Sequence, residues 1–230
     1  MSETNFDPSE SNWDEFPEEN NWNEHQWRKY LKDSDNTIET FLEVYNMLKD
    51  SPNHFDEIAV KMGWDIEDIS LAEECDHEES EEAFEESFDE NDMEPYTPLS
   101  HPVIVVTQAL CGSLRKIWEE YINESGSYAS PQLCWLYADS LHQAEMNVTL
   151  AVHAIDLGDY GLTICHLKNS LSALNKTLSL IDHIVHPDET ALNDIRREIR
   201  TRLFDLRELW LRVMSDCRVE YNRRKNTDND

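Results

Sequence analysis

The longest uninterrupted helical pattern in the chain runs from Asp188 to Arg224, and it limits the possible folds more than any other feature. Its apolar residues recur at steps of three, four or seven, which places them in one narrow stripe along a helix. They are Leu192, Ile195, Ile199, Leu206, Trp210, Val213 and Cys217. Such a stripe is unfavourable in water, so the pattern predicts that partner helices from elsewhere in the chain cover it.

Three upstream segments carry matching apolar stripes. We predict helices from Val103 to Asn123, from Pro131 to just before Gly158 with Ser130 as the cap, and from Asp159 to Val185. Short connections between helices of similar length favour antiparallel neighbours, and alternating steps of three and four are typical of coiled-coil packing. Residues 99–225 are therefore predicted to form an up-down four-helix bundle in an all-α protein, followed by a disordered tail, residues 226–230.

The last helix of this bundle is longer than the other three. At about 1.5 Å per residue it is about 55 Å long, whereas the others are about 40 Å or shorter. We expect its surplus turns to project alone or to pack on the N-terminal part of the chain. A protruding apolar helix end also makes a homodimer possible.

The 230-residue chain has a formal net charge of −30, which is distributed unevenly. Residues 1–97 contain 31 acidic and 5 basic residues, whereas residues 98–230 contain 18 acidic and 14 basic residues. The first part repels phosphate backbones and anionic lipids, which argues against direct binding to nucleic acid or membrane. Scattered cysteines, and the lack of a secretory signal or a long apolar run, predict free thiols and a cytoplasmic location.

Residues 1–20 are predicted to be a disordered acidic tail, because they are polar, acidic and interrupted by proline. Trp13 and Phe16 are unusual in such a background. Aromatic residues in an acidic disordered segment can dock into an apolar groove of a partner, so both are candidate partner-binding residues. The aromatic residues that follow have two interpretations, docking in the same way or anchoring a short helix on the next domain. They are Trp22, Trp27 and Tyr30.

Residues 21–72 are predicted to form a small helical module. Asn36 is the expected N-cap of one helix, and the sequence around Ser51 and Pro52 ends it. The spacing of Ala59, Gly63 and Ile69 resembles a helix-turn-helix unit, which implies a turn at Gly63 and a second helix after it. The exposed positions of that second helix are acidic, so we do not expect it to bind DNA. These positions include Asp65, Glu67 and Asp68.

Residues 73–98 are predicted to be an acidic linker. The part from 73 to 94 contains 13 Asp and Glu and no Lys or Arg, and blocks of like charge repel and extend. Phe84 and Phe88 lie four residues apart, a spacing that fits a short helix docking on a basic surface. Both are candidate partner-binding residues.

Four arginines of the last helix are also candidate partner-binding residues. They fall within about 40° of one another on one flank of the apolar stripe, and they are Arg196, Arg200, Arg207 and Arg218. One interpretation is a solvated face with local ion pairs, such as Asp205 with Arg202 and Glu208 with Arg212. The other is that residues 73–94 fold back onto these arginines and that the basic surface of a partner competes for the linker.

The second bundle helix carries the strongest candidate metal ligands. His142, Glu145, His153 and Asp156 share one face, and clusters of two histidines with carboxylates can hold iron or manganese inside bundles. This face lies opposite the predicted apolar stripe, so we expect these side chains to be in water. No catalytic, cofactor or metal site is therefore expected.

These patterns predict a non-enzymatic interaction or regulatory protein that acts through an acidic surface and a helical bundle. Its partner would be a protein with a basic or apolar groove. One alternative is an acidic decoy that occupies the basic site of a nucleic-acid-binding protein. The other is a metal-dependent helical-bundle enzyme.

Overall fold

A computed structural model describes residues 22–64, 97–125 and 130–227, in which every regular element is a helix. The α-helices are α1 (Glu24–Leu48), α2 (His54–Met62), α3 (Pro102–Ser125), α4 (Pro131–Asp156), α5 (Tyr160–Ile181) and α6 (Glu189–Thr227), with a 3-10 turn at Pro98–Ser100. The all-α prediction is confirmed for these ranges. The acidic tail, most of the acidic linker and four of the candidate residues lie outside the described residues. These four are Trp13, Phe16, Phe84 and Phe88.

Helix α1 begins well before the predicted cap at Asn36, so that prediction is wrong. The cap is Asn23, whose side chain accepts a hydrogen bond from the Gln26 N–H at 3.0 Å, while the Gln26 side chain accepts one from the Asn23 N–H at 2.9 Å. This reciprocal capping box starts the helix 13 residues earlier. No proline or glycine interrupts the intervening residues, so the helix continues through Asn36.

Gly63 ends helix α2 in the left-handed conformation, with φ of 71°. The Trp64 N–H returns to the Ala59 carbonyl at 3.0 Å, which closes the helix end. The turn implied by the helix-turn-helix resemblance is therefore present at the expected glycine. Its second helix lies outside the described residues.

The ends of α4 and α5 agree with the predicted ends in all but two respects. Ser130 occupies the N-cap position of α4, but its side chain makes no cap hydrogen bond. Gly158 has φ of 70°, and Asp159 caps α5 by accepting a hydrogen bond from the Leu162 N–H at 2.9 Å. Helix α5 then ends at Ile181 and not at the predicted Val185.

Tertiary hydrogen bonds explain the early end of α5. The Arg196 side chain donates to the carbonyl oxygens of Ile181, Asp182 and Ile184 at 3.0–3.3 Å. The Tyr121 hydroxyl donates to the Val185 carbonyl at 3.1 Å. Because these carbonyls have partners from α3 and α6, the chain does not need further helical turns to satisfy them.

The last four helices pack in sequence order, with each one against the next and α3 also against α6. The contacts show that α3 and α6 are antiparallel, since Trp210 donates to Thr107 at 3.2 Å and Arg202, earlier in α6, donates to Ser113 at 2.8 Å. Helices α4 and α5 are also antiparallel. Ser140 contacts Thr177 at 2.8 Å, and Thr163 donates to the Ala151 carbonyl at 3.4 Å.

The C-terminal turns of α6 neither project alone nor pack on the N-terminal helices. Arg224 donates to the Gly158 carbonyl at 3.2 Å, and its guanidinium lies 4.5 Å from the centroid of the Tyr160 ring. The connection between α4 and α5 therefore contacts one side of the last turns of α6, whose residues 221–226 remain exposed.

One continuous cluster of buried side chains includes residues from α1 and α2 as well as from α3 to α6. Phe41 and Tyr45 of α1 and Phe55 and Ile58 of α2 belong to it. The described parts of the two predicted domains thus share a core, and the predicted domain limits remain a prediction. The apolar stripe of α6 is confirmed, because its residues from Ile199 to Cys217 are buried and the two before them are partly buried.

Candidate interaction surfaces

A cluster of buried polar side chains joins α1, α2 and α6. We call Tyr45, His54, Arg202 and Asp205 the polar cluster. The Tyr45 hydroxyl, on a fully buried ring, donates to Oδ2 of Asp205. Nε2 of His54 lies 3.4 Å from the other oxygen, Oδ1. The carboxylate of α6 is therefore held from both neighbouring helices.

The two ring nitrogens of His54 have different surroundings. Nδ1 lies 3.2 Å from the Ser51 carbonyl, which can only accept a hydrogen bond. Nε2 is buried beside Oδ1 of Asp205 at 3.4 Å, but it makes no hydrogen bond to a described residue. Burial raises the pKa of Asp205, against the lowering effect of the hydrogen bond from Tyr45. Only 12% and 11% of the His54 and Asp205 side chains are exposed, so this contact lies inside the junction of α2 with α6.

Arg202 is buried in the same region, with 5% exposure. It donates to Oε1 of Glu198 at 2.5 Å, and its guanidinium lies 5.8 Å from the centroid of the Tyr45 ring. Lys49 also binds Glu198, at 3.0 Å. Although burial opposes the effect, the hydrogen bonds from Arg202 and Lys49 lower the pKa of Glu198. The expected surface ion pair between Asp205 and Arg202 is therefore wrong, because both residues are buried and Arg202 pairs with Glu198.

The four arginines predicted to form one basic flank of α6 have different surroundings. Arg196 binds carbonyl oxygens at the end of α5, and Arg200 pairs with Asp182 at 2.5 Å. Arg207 and Arg218 are exposed, and Nη2 of Arg218 lies 3.5 Å from Sδ of Met214. Helix packing thus uses the first two arginines, and the other two are accessible to a partner.

The outer face of α6 carries a shallow groove of about 530 Å³, which we call the α6 groove. Phe204 and Leu211, one heptad apart, are 52% and 37% exposed. Arg207 lies between them. Arg212 pairs with Glu208 at 2.6 Å and with Asp56 of α2 at 3.2 Å. The groove therefore combines two apolar side chains with a cation, and the ion pair expected between Glu208 and Arg212 is present.

A second groove, of about 340 Å³, lies between the start of α1 and the turn before α3. Trp22 and Tyr30 line this groove, and Trp27 packs edge to face against both, with the three ring centroids 5.4–6.1 Å apart. The Tyr30 hydroxyl is hydrogen-bonded to the side chain of Thr97. These contacts favour the interpretation in which the three aromatic residues anchor α1.

The outer face of α4 carries exposed apolar side chains that the sequence analysis did not identify. They form one stripe, which we call the α4 stripe: Trp135, Met146, Leu150 and Leu157. Trp135 is 66% exposed and Leu157 is 81% exposed. The spacing of these residues already places them on one face of the helix, together with His142 and His153. We expected that face to be in water, because the larger apolar stripe of α4 lies opposite.

Comparison with known proteins does not assign a function to these surfaces. No protein-family model, curated protein or solved structure matches the chain. The interpretation therefore depends on the exposed chemistry of the helices.

The candidate metal ligands of α4 do not form a site. His142, His153 and Asp156 are exposed, as expected. Glu145 differs from that expectation, because it is partly buried and paired with Arg115 of α3, and burial raises its pKa. Within residues 22–64, 97–125 and 130–227, no group of three or more His, Cys, Asp or Glu side chains is arranged to hold a metal ion.

The cysteines of the described ranges are free thiols with different accessibility. Cys111 and Cys217 are buried, and burial raises the pKa of both, to about 12 for Cys217. Cys134 is partly buried and Cys165 is exposed. In the same part of the chain, no helix has the length and apolar character needed to cross a membrane.

Proposed function

We propose that the protein is a non-enzymatic interaction protein that binds acidic amphipathic segments on the outer face of α6. In this proposal α3 to α6 form an up-down four-helix bundle, and α1 and α2 pack beside it. The antiparallel contacts of α3 with α6 and of α4 with α5 support this arrangement. The bundle is the scaffold that fixes the α6 groove.

The α6 groove is the observation that carries the proposal. A half-exposed Phe204, with Leu211 seven residues later, forms an apolar strip two turns long, and such paired anchors are typical of helix-in-groove recognition. Arg207 lies inside the strip, and Arg218 lies two turns beyond Leu211. Because Arg212 is paired with Glu208 and Asp56, Arg207 is the cation best placed to meet a ligand carboxylate.

The chemistry of the groove indicates its ligand. An amphipathic helix with aromatic residues four apart and a strongly acidic surface would place its rings on Phe204 and Leu211 and its carboxylates near Arg207. Residues 73–94 of the chain itself have this composition, with Phe84, Phe88 and 13 acidic residues. We propose that this segment competes for the groove, and that a partner with a basic or apolar groove binds the segment instead.

A peptide competition experiment tests the proposal. A fluorescent peptide of residues 78–94 is titrated into the full chain and into a variant that lacks residues 73–94. We expect tighter binding to the deletion variant, because the internal competitor is absent. Raising the salt concentration from about 0.05 M to about 0.5 M should weaken binding at least about tenfold, since the charges are exposed and are screened.

Two substitutions locate the binding site. In the deletion variant, Phe204→Ala combined with Arg207→Glu should weaken peptide binding at least about tenfold, because the double change removes an anchor and reverses a charge. Trp135→Ala on α4 is the matched control and should leave binding unchanged. Equal affinity of the peptide for the double variant and the unsubstituted protein would overturn the proposal.

A further inference from the structure

The α4 stripe is long enough to contact another helix over most of its length. Trp135 lies 22 residues before Leu157, the C-cap residue of α4, which corresponds to about 33 Å along the helix. Met146 and Leu150 lie between them, and all four side chains are exposed. Trp135, as a large aromatic residue on the surface, is the type of side chain that most often dominates interface energies.

Three of the four residues of the α4 stripe are placed symmetrically about Met146, whereas the position that corresponds to Leu150 is His142. Trp135 lies 11 residues before Met146 and Leu157 lies 11 residues after it. Asp139 and His153 lie seven residues before and after Met146. All these separations are close to whole numbers of helical turns, so the residues stay on one face.

This symmetry has a consequence for pairing with an identical helix. A two-fold axis through Met146 would bring two α4 helices together in antiparallel orientation, which is the geometry of an isologous contact. Trp135 would then face Leu157 of the partner subunit, and the two Met146 side chains would meet on the axis. Methionine is flexible and fits such a self-contact well.

Two polar residues on the same face as the α4 stripe would also meet complementary groups of the partner subunit in this register. Asp139 would face His153 of the partner subunit, and the imidazole can donate a hydrogen bond to the carboxylate whether or not it is charged. Asp139 also lies 3.7 Å from Lys176 of α5, with 30% of its side chain exposed, so its carboxylate remains accessible from outside. No like charges are brought face to face along the stripe.

We propose that the α4 stripe binds a second copy of this chain, forming an antiparallel two-fold dimer centred on Met146. This surface goes beyond the proposed function, which concerns α6. Helix α4 packs against α3 and α5, and the α6 groove is lined by residues of α6 alone, so the two surfaces share no residue. One dimer can therefore present two α6 grooves.

Electrostatics predicts how this association depends on salt. Two copies with a formal charge of −30 each repel one another, but residues 98–230, which contain α4, carry 18 acidic against 14 basic residues. Added salt screens the long-range repulsion and leaves the apolar contact intact. Dimerisation should therefore strengthen with salt, whereas peptide binding to the α6 groove should weaken.

Sedimentation equilibrium of the full chain measures the association directly. At about 0.3 M salt we expect a reversible increase in mass from 27.0 kDa towards twice that value as the protein concentration rises. Trp135→Ala should raise the dissociation constant at least about 30-fold. Phe204→Ala is the matched control and should not change it. A chain that stays monomeric, or a dimer with the same dissociation constant in Trp135→Ala, would overturn the proposal.

Disulfide formation tests the register of the two helices. The test uses a full chain in which Cys75, Cys134 and Cys165 are replaced by serine, leaving the buried Cys111 and Cys217. Met146→Cys should then form an intermolecular disulfide on mild oxidation, because the two side chains meet on the axis. Leu157→Cys should not, since its two copies would be about 33 Å apart. Equal cross-linking of both variants would indicate a parallel pair, and no cross-linking of Met146→Cys would exclude this register.

Circular dichroism shows whether the substituted chains remain folded. Trp135, Met146 and Leu157 are exposed, so each substituted chain should keep the helical spectrum of the unsubstituted protein. A folded Trp135→Ala chain with unchanged association contradicts the dimer, and it leaves the peptide-binding proposal for α6 untouched.

Discussion

Removing one oxygen atom from the polar cluster gives a quantitative test of how α1 is held to α6. In Tyr45→Phe the fully buried ring stays in place and only its hydrogen bond to Asp205 is lost. A hydrogen bond to a charged group contributes about 1.5–3 kcal/mol. We therefore expect Tyr45→Phe to lower the free energy of unfolding by about this amount at neutral pH, as measured by urea unfolding monitored through tryptophan fluorescence.

The same substitution should change the pH dependence of stability. Burial already raises the pKa of Asp205 above 3.8, and loss of the Tyr45 hydroxyl removes a hydrogen bond that lowers it. Because the folded-state pKa of Asp205 is above its unfolded value, the contribution of Asp205 to the free energy of unfolding is most favourable below about pH 3.8. This contribution is lost as the pH rises through the folded-state pKa. The difference between Tyr45→Phe and the unsubstituted chain should therefore be larger at about pH 8 than at about pH 5.

Tyr121→Phe is the matched control. Tyr121 is also buried, but its hydroxyl binds only neutral groups, since it donates to the Val185 carbonyl at 3.1 Å and accepts from the Val185 N–H at 3.3 Å. Loss of these two neutral hydrogen bonds should lower the free energy of unfolding by about 1–3 kcal/mol, with no dependence on pH in this range. If the loss in Tyr45→Phe is the same at both pH values, as it should be in Tyr121→Phe, the reasoning about Asp205 is refuted.

Two further predictions concern glycine and cysteine. Gly158→Ala should destabilise the protein by at least about 1 kcal/mol, since φ is 70° and the new Cβ would lie 3.0 Å from Nη1 of Arg224. Gly112 lies inside α3, and a Cβ there would meet no described atom within 4 Å. Gly112→Ala should therefore stabilise the protein by about 0.5–1 kcal/mol. Thermal unfolding should show a lower melting temperature for Gly158→Ala and a higher one for Gly112→Ala. Among the described cysteines, Cys165 should react first with an aromatic disulfide reagent, because it is exposed. If Cys111 or Cys217 reacted as fast in the folded chain as in the unfolded chain, its burial would be contradicted. The slow thiols should be the buried ones, Cys111 and Cys217.

Helix positions were the most predictable part of this protein. We expected α3 to span Val103–Asn123, and it spans Pro102–Ser125. We expected the last helix to span Asp188–Arg224, and α6 spans Glu189–Thr227. Apolar periodicity, Pro131 and Gly158 are local signals, so they predict these helices without knowledge of the tertiary structure. The start of α1 was missed because we accepted Asn36 as a cap and did not test Asn23 with Gln26, although the capping box was visible in the sequence.

The candidate surfaces were less predictable. Arg196 and Arg200 were assigned to an exposed flank, but their partners are groups at the end of α5. The position of that helix end depends on tertiary contacts, so no local pattern could separate these two arginines from Arg207 and Arg218. The α4 stripe was overlooked for a different reason, because one apolar face on a bundle helix was treated as sufficient.

The sequence by itself determined the helices, their apolar stripes and the uneven distribution of charge, because each is a property of neighbouring residues along one chain. The tertiary structure decided which charged residues are buried. Arg202 and Asp205 lie in α6 among charged residues that all look suited to water, yet both are enclosed by α1, α2 and α3. Tyr45 is 160 residues away from the Asp205 that it binds. The burial of a charge depends on partners brought from such distances, and only the packing of the helices supplies them.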